Sequence, residues 1–361
     1  MKIIELMHRW TGGLVGLLLA VLGLSGALLV HKHSWIVLPH SGDRQIQDVS
    51  TLARTVTRLF ADPNTRPQSI GFASADFGVH RLRFAGEAGA YASQSGAIVT
   101  QWDSKWHRPE LWLFDLHHYL WAGETGAIVA GWLALIGLGF VITGAMLWWR
   151  SRKTFQPRLW PARMSRPAIV RHHRDLGIIL APLLLLSMLT GAMLTLRPLA
   201  NLLLSPWSSA DEMRQASTGP ALAGGALSNS LNWRAMLGKA KERFPTAEFR
   251  VISLPKKPGE LIVLRMKQPD EWLPNGRTTL WFDPADGRLV EARDAFRLPA
   301  GSKLFNTVYP LHAASIGGLP YKLALTIAGL GLSLLGSLAV WIFWFGQRRA
   351  VPSLTGFSCA K

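Results

Sequence analysis

The stretch HRWTGGLVGLLLAVLGLSGA, residues 8–27, opens on His8 and closes on Ser25-Gly26-Ala27 with an apolar run between. The pattern returns at residues 173–192 as HRDLGIILAPLLLLSMLTGA, from His173 to Thr190-Gly191-Ala192. His8 and Gly26 are 18 residues apart, and so are His173 and Gly191. A second pair recurs as well. Leu116-His117 precedes one hydrophobic run and Leu311-His312 another, and those runs carry Gly137-x-Gly139-x4-Gly144 and Gly329-x-Gly331-x4-Gly336. Ionisable side chains at a membrane are costly unless they are satisfied or used. Histidine is also the usual axial ligand of non-covalent haem, and facing helices of a bundle make such sites. Four repeated histidines, two near each face of a bundle, are what two bis-histidine haems require.

Working outward, four runs near 10–31, 126–149, 176–197 and 321–346 are long and apolar enough to span a bilayer, which takes about 20 residues. The first reads as a retained anchor and not a signal peptide. Its apolar part runs from Leu14 to Val30, no A-x-A site follows, and the pattern recurs internally.

The net charge of +17 is unevenly spread. Segments 1–9, 150–175 and 347–361 together hold 13 Lys/Arg and 2 acids, whereas 32–125 holds 9 of each sign and 197–322 holds 17 basic and 11 acidic residues. The positive-inside rule therefore predicts both termini and the Arg-rich loop in the cytoplasm and the two long segments outside. Because topology explains much of the basic charge, nucleic acid is not an expected partner. The external surplus of positive charge favours an anionic ligand weakly.

Cys359 is the sole cysteine, so intrachain disulfides, thiolate zinc and C-x-x-C-H haem attachment are excluded. No G-x-G-x-x-G follows a strand and no P-loop is present, which argues against flavin or nucleotide binding.

The repeat extends outside the membrane. Val49–Ala61 and Asn232–Phe244 read as helices. Strand-like pieces follow at 68–74, 78–85 and 90–101, with a turn at Ser95-Gly96, and at 247–254, 260–267, 278–283 and 288–293. Each half thus has one order: a histidine-headed helix, a small α+β domain, then Leu-His and a second helix. The expected architecture is an α-helical membrane protein with four transmembrane helices in an internally duplicated bundle and two small external α+β domains. Its segments are helix 1 (1–31), external domain 1 (32–125), helix 2 (126–149), a cytoplasmic loop (150–175), helix 3 (176–197), external domain 2 (198–320), helix 4 (321–346) and a cytoplasmic tail (347–361).

The blocks His8-Arg9-Trp10 with Ser25-Gly26, Leu116-His117-His118-Tyr119-Leu120 with Gly-Glu-Thr-Gly at 123–126, and the Asp283–Gly287 hairpin resemble the PepSY-associated transmembrane proteins across nearly the whole chain. That family includes inner-membrane ferric-siderophore reductases of the ferrioxamine type, which carry two b-type haems. The resemblance implies PepSY-like external domains, two haem b groups, a ferric siderophore as substrate and a cytosolic or quinol electron donor. It also implies a bacterial inner-membrane location. This chain departs from the internal repeat at His31 and His33, which have no counterpart in the second half. With the chain stopping at Lys361, a cytosolic flavin reductase is expected to be a separate protein.

The repeat pairs His8 with His173 for an inner haem and His117 with His312 for an outer one. The competing assignment for each is ordinary interfacial histidine. His118 and His172 are the adjacent rivals, and neighbouring helical residues face different ways. His31 is a third rival, as an outer ligand or as a contact to the substrate iron. His80 and His107 are expected on the surface. The glycine stripes either pack helices closely or make room for porphyrin. The Arg cluster at 150–174 fixes topology and meets anionic lipid; a second reading gives it haem propionates or an acidic reductase.

The leading functional expectation is a haem-dependent ferric-siderophore reductase. An electron conduit to an external protein partner, a haem-free PepSY interaction or regulatory protein and a transporter are the alternatives. The last is disfavoured by the apolar, Gly-rich helices.

Overall fold

The computed structural model describes residues 2–158 and 160–345. Helix α1 (Lys2–Val30) leads through a short α2 (Lys32–Trp35) to α3 (Val49–Phe60) and strands β1 (Ser69–Gly71), β2 (His80–Arg83), β3 (Gly89–Ala92) and β4 (Ile98–Trp102). Helices α4 (Pro109–Tyr119) and α5 (Gly123–Ser151) complete the first half. The second half has α6 (Arg166–Thr195), α7 (Arg197–Leu204), α8 (Ala210–Ser217) and α9 (Trp233–Arg243). Strands β5 (Glu248–Ser253), β6 (Ile262–Lys267), β7 (Thr278–Phe282) and β8 (Leu289–Arg293) follow, then α10 (Ala300–His312) and α11 (Gly318–Trp344). Each half runs long helix, short helix, four strands, short helix and long helix, where three strand pieces were expected in the first half; α2 is added in the first half and α7 and α8 in the second.

Helices α1, α5, α6 and α11 are each long and apolar enough to cross a membrane. Their outward faces expose large apolar side chains, among them Leu14, Leu17, Trp132, Ile142 and Ile327. Such a belt belongs in lipid. The helices begin earlier than their apolar runs. Helix α1 starts at Lys2 and α6 at Arg166, so His8 and His173 lie more than a turn inside their helices and not at their starts. Lys and Arg are good helix formers, and hydropathy alone does not register them.

Helix α1 packs on α11 through glycine. A Cβ on Gly23 would lie 2.5 Å from the Gly329 carbonyl oxygen, and one on Gly16 would lie 2.7 Å from that of Gly336. Close helix packing therefore accounts for Gly329 and Gly336. Gly137 packs against Met188, whereas Gly139 and Gly177 face open space.

The two segments expected outside the membrane share one sheet and one main core. β1 pairs antiparallel with β5, Ile70 opposite Ile252, and joins the halves into one eight-stranded sheet of order β4-β3-β2-β1-β5-β6-β7-β8. One apolar core lies under α3 and α9 and takes Leu52, Val56 and Leu82 from the first half and Leu237, Ile252 and Leu264 from the second. Asp48 caps α3 by accepting from the Thr51 amide at 2.7 Å, and Asn232 caps α9 by accepting from the Ala235 amide at 3.0 Å. The piece expected at 90–101 divides into β3 and β4 at the Ser95-Gly96 turn, where Gly96 has φ +87°.

His80 corrects the sequence reading: it is fully buried, not on the surface, and its Nδ1 accepts from the Ala73 amide at 2.9 Å. Burial lowers its pKa to about 4. His107 is exposed as expected. Cys359 and the whole expected tail, 347–361, lie outside the described residues.

Candidate functional site

Helices α4 and α10 end in sharp reversals that place their last turns against the bundle. After α4, Leu120 and Trp121 have φ of +48° and +58°; after α10, Ala314 has φ +48° and Gly317 +74°. Gly126 accepts the first reversal because any Cβ there would collide with the Tyr119 carbonyl. His117 and His312 stand in these last turns.

The structure brings the four repeated histidines together as two pairs. The rings of His117 and His312 have centroids 6.1 Å apart, and those of His8 and His173 are 6.4 Å apart. A metal bound to two imidazole nitrogens at about 2 Å each, with each ring centre roughly 1 Å further out, requires about 6 Å between centroids. Ring planes meet at 38° in the first pair and 86° in the second.

Hydroxyl groups set the tautomer of three of these rings. Thr190 Oγ1 donates to the Leu186 carbonyl at 2.7 Å, so it accepts from His312 Nδ1–H at 3.0 Å. Ser25 Oγ donates to the Val21 carbonyl at 2.8 Å and accepts from His117 Nδ1–H at 3.0 Å. Thr143 Oγ1 donates to the Gly139 carbonyl at 2.7 Å and accepts from His8 Nδ1–H at 2.8 Å. With its one proton given to a carbonyl, each hydroxyl can only accept from the ring. Nε2 is then the unprotonated nitrogen, the form that binds a metal, and a partner on the other nitrogen orients the ring. His173 differs, since its Nδ1 is buried without a hydrogen-bond partner among the described residues.

The Ser25-Gly26 and Thr190-Gly191 repeats now have a geometric role. Cβ atoms at Gly26 and Gly191 would stand 2.9 and 3.1 Å from the Cε1 atoms of His117 and His312. The hydroxyl holds each ring and the missing side chain admits it. Burial pushes His117 down to about 3 and His312 to about 4, so both imidazoles are neutral near pH 7.

The rivals sit elsewhere. His31 uses Nε2 to donate to Thr326 Oγ1 at 2.8 Å, because that hydroxyl's proton goes to the Lys322 carbonyl. His118 stacks on Phe114 with centroids 5.4 Å apart, and His33 stacks on Phe77 at 5.1 Å. His172 is buried and neither ring nitrogen has a partner among the described residues. Within the Arg-rich segment, Arg174 Nε pairs with Asp175 at 2.7 Å and its guanidinium also reaches Thr154. No group of three or more His, Cys, Asp or Glu suited to a bare metal ion occurs among the described residues. Each level therefore offers a metal two imidazoles and no further His, Cys, Asp or Glu cluster among the described residues. Sequence reasoning missed Thr143; a threonine one residue before Gly144, facing the His8 level, was the available signal.

Fold and site together define a multi-pass membrane protein with an antiparallel sheet beside the spans and two half-buried histidine pairs. Residues 6–346 match the family model described as PepSY-associated TM region, and the chain belongs to that family. Comparison with curated proteins gives no match.

Proposed function

We propose that this protein is a di-haem oxidoreductase of a bacterial inner membrane that passes electrons across the bilayer to a ferric siderophore. The observation that carries the reading is the paired set of half-buried imidazoles, with ring centroids about 6 Å apart at both levels and three Nε2 atoms left free by hydrogen bonds on Nδ1. His8 and His173 would hold the inner haem and His117 and His312 the outer one. When bound, each haem b would supply a one-electron carrier, its potential set by the imidazoles that hold it and by its burial.

The chain's own residues provide the rest. His8 to Ser25 is 17 residues, and so is His173 to Thr190. At 1.5 Å per residue, both helices set the two levels about 25 Å apart. Ser25, Thr190 and Thr143 hold the rings against rotation, and the apolar helices exclude water. The substrate Fe(III) gains one electron and becomes Fe(II), a softer ion that hard oxygen donors hold less firmly. Release of Fe(II) on the periplasmic side follows, with both termini cytoplasmic and a cytosolic or quinol donor at the other face. Internal duplication of one helix–domain–helix unit accounts for the repeated order.

The reduced protein should be reoxidised by a ferric siderophore, with Fe(II) trapped by a chelator, whereas a gallium chelate should leave it reduced. Rapid reoxidation by a partner protein with no response to any ferric chelate would instead mark an electron conduit. A reporter inserted near Gly225 should read as external and one after Lys361 as cytoplasmic; the reverse result would exchange the two haem roles.

A further inference from the structure

The sheet face turned away from α3 and α9 carries a line of cations that the proposed electron path does not use. Register places Arg81 opposite Gly71, Gly71 opposite Val251, and Val251 opposite Arg265, one row across β2, β1, β5 and β6. Their neighbours Leu82, Ile252 and Leu264 point into the core, so by strand alternation the row faces the other way. Tyr91 continues the row opposite Arg81, and its hydroxyl donates to Glu110 on α4 at 3.2 Å. At the far side, Arg277 donates to Asn306 on α10 at 3.3 Å. The row is thus bracketed by the two helices whose last turns carry His117 and His312.

Gly71 leaves a notch at its centre. A Cβ there would meet only Arg81 atoms, at 3.6 and 3.8 Å, and no side chain from below. The nearby carboxylates are engaged. Glu110 takes Arg108 at 2.8 Å, and Glu271 takes the Arg277 amide and the Thr278 hydroxyl. Glu248 reaches Arg250 at 3.5 Å, with Asp76 a further counter-charge to Arg250. Among the described residues, Arg81 and Arg265 lie in none of these ion pairs. The crowding has a cost: burial, then Arg265 and Arg197, push Arg277 down to about 10, and burial also lowers Arg265 and Arg250. Arg250, Arg265 and Arg277 are half-buried and Arg81 is exposed beside Gly71; cations gathered on one face favour an anion there, and guanidinium groups suit carboxylate geometry.

We propose that the arginine row around Gly71 binds an oxygen-rich anion carrying carboxylates, held between the sheet and the outer histidine pair. Two sources offer this chemistry: acid groups of an incoming ferric chelate, and the propionates of the haem at His117 and His312. Both rest on the reading of that pair as the outer redox level.

The test uses the full chain in detergent and gallium(III) citrate, an anionic, redox-inert probe, with the cationic gallium complex of ferrioxamine B as the contrast. Calorimetry should show citrate-complex binding that weakens as salt rises. Arg81→Gln/Arg265→Gln should weaken it tenfold or more, with little effect on the cationic complex. Arg81→Lys/Arg265→Lys should recover most of the binding. Weakened probe binding with unchanged haem content and midpoint potential assigns the row to the chelate. Unchanged probe binding with reduced outer haem or a shifted midpoint potential assigns it to the propionates. If probe binding, haem content and potential all match the parent, the proposal is overturned. Should the double Gln variant not fold, Arg81→Gln alone, at an exposed position, is read in the same way: probe binding, haem content and midpoint potential all matching the parent overturn the proposal. Gallium binding needs no electron transfer, so a colourless protein would sink the haem reading and still leave the anion site open to measurement.

Discussion

The two histidine pairs are built by different means. His117 and His312 arrive on short helices outside the spans and reach in to α1 and α6, where Ser25 with Gly26 and Thr190 with Gly191 receive them alike. His8 and His173 stand on the spanning helices themselves, and among the described residues only His8 has a hydroxyl partner, Thr143. The second half places Leu335 where the first has Thr143, by the register of the two glycine signatures. The outer level is therefore the more symmetric and the better oriented. At the inner level one ring has a hydroxyl partner, and the Nδ1 of the other has no hydrogen-bond partner among the described residues.

The largest effects should come from removing ligands, which separates the levels. Replacing His312 by Ala should remove about half of the haem and abolish chelate reduction, while the inner haem still reduces. His173→Ala should remove the other half and stop entry of electrons. Haem quantitation and low-spin spectra of both variants check this. A full haem complement in either variant would return His31, His118 and His172 to consideration.

Removing an orienting hydroxyl should do less. Partners of metal-bound histidine commonly matter by roughly 10–100-fold in affinity. Ser25→Ala and Thr190→Val should each weaken haem retention at the outer level, and Thr143→Val at the inner one. Competition with apomyoglobin measures the loss. If Thr143→Val released outer haem, the assignment of the hydroxyls to levels would be wrong.

A smaller effect concerns acid stability of the sheet, away from both pairs. His80 is neutral in the fold down to about pH 4 but takes a proton near pH 6.5 when unfolded. The stability tied to its neutral form is fully present above pH 6.5 and is lost as pH falls toward 4. At about 1.4 kcal/mol per pKa unit, roughly 3 kcal/mol is at stake. Thermal unfolding should weaken over that window, and His80→Asn should flatten the dependence. An unchanged slope would show that His80 does not couple to folding.

Much of this arrangement was legible in the residues because membranes simplify the problem. Long apolar runs force helices, and the repeat spacing from His8 to Gly26 and from His173 to Gly191 marks equivalent positions. The partners of those glycines were not legible. Sequence placed Gly26 beside no particular residue, and only the reversals at Leu120 and Ala314 bring His117 and His312 to them. The joined sheet was hidden for a similar reason. β1 spans only Ser69–Gly71, and nothing local says that its free edge meets β5. His80 was misread because alternation within a four-residue strand does not reveal which face is covered. The Arg81–Arg265 row was out of reach too, since its members are brought together by pairing across the two halves.

The most direct test is a reduced-minus-oxidised spectrum of the purified full chain with pyridine haemochrome quantitation. Two b-type haems per chain, both low-spin with bis-histidine character, are the expected result. A colourless protein, or one haem that survives loss of both His117 and His312 and is lost with His8, would contradict the two-level arrangement.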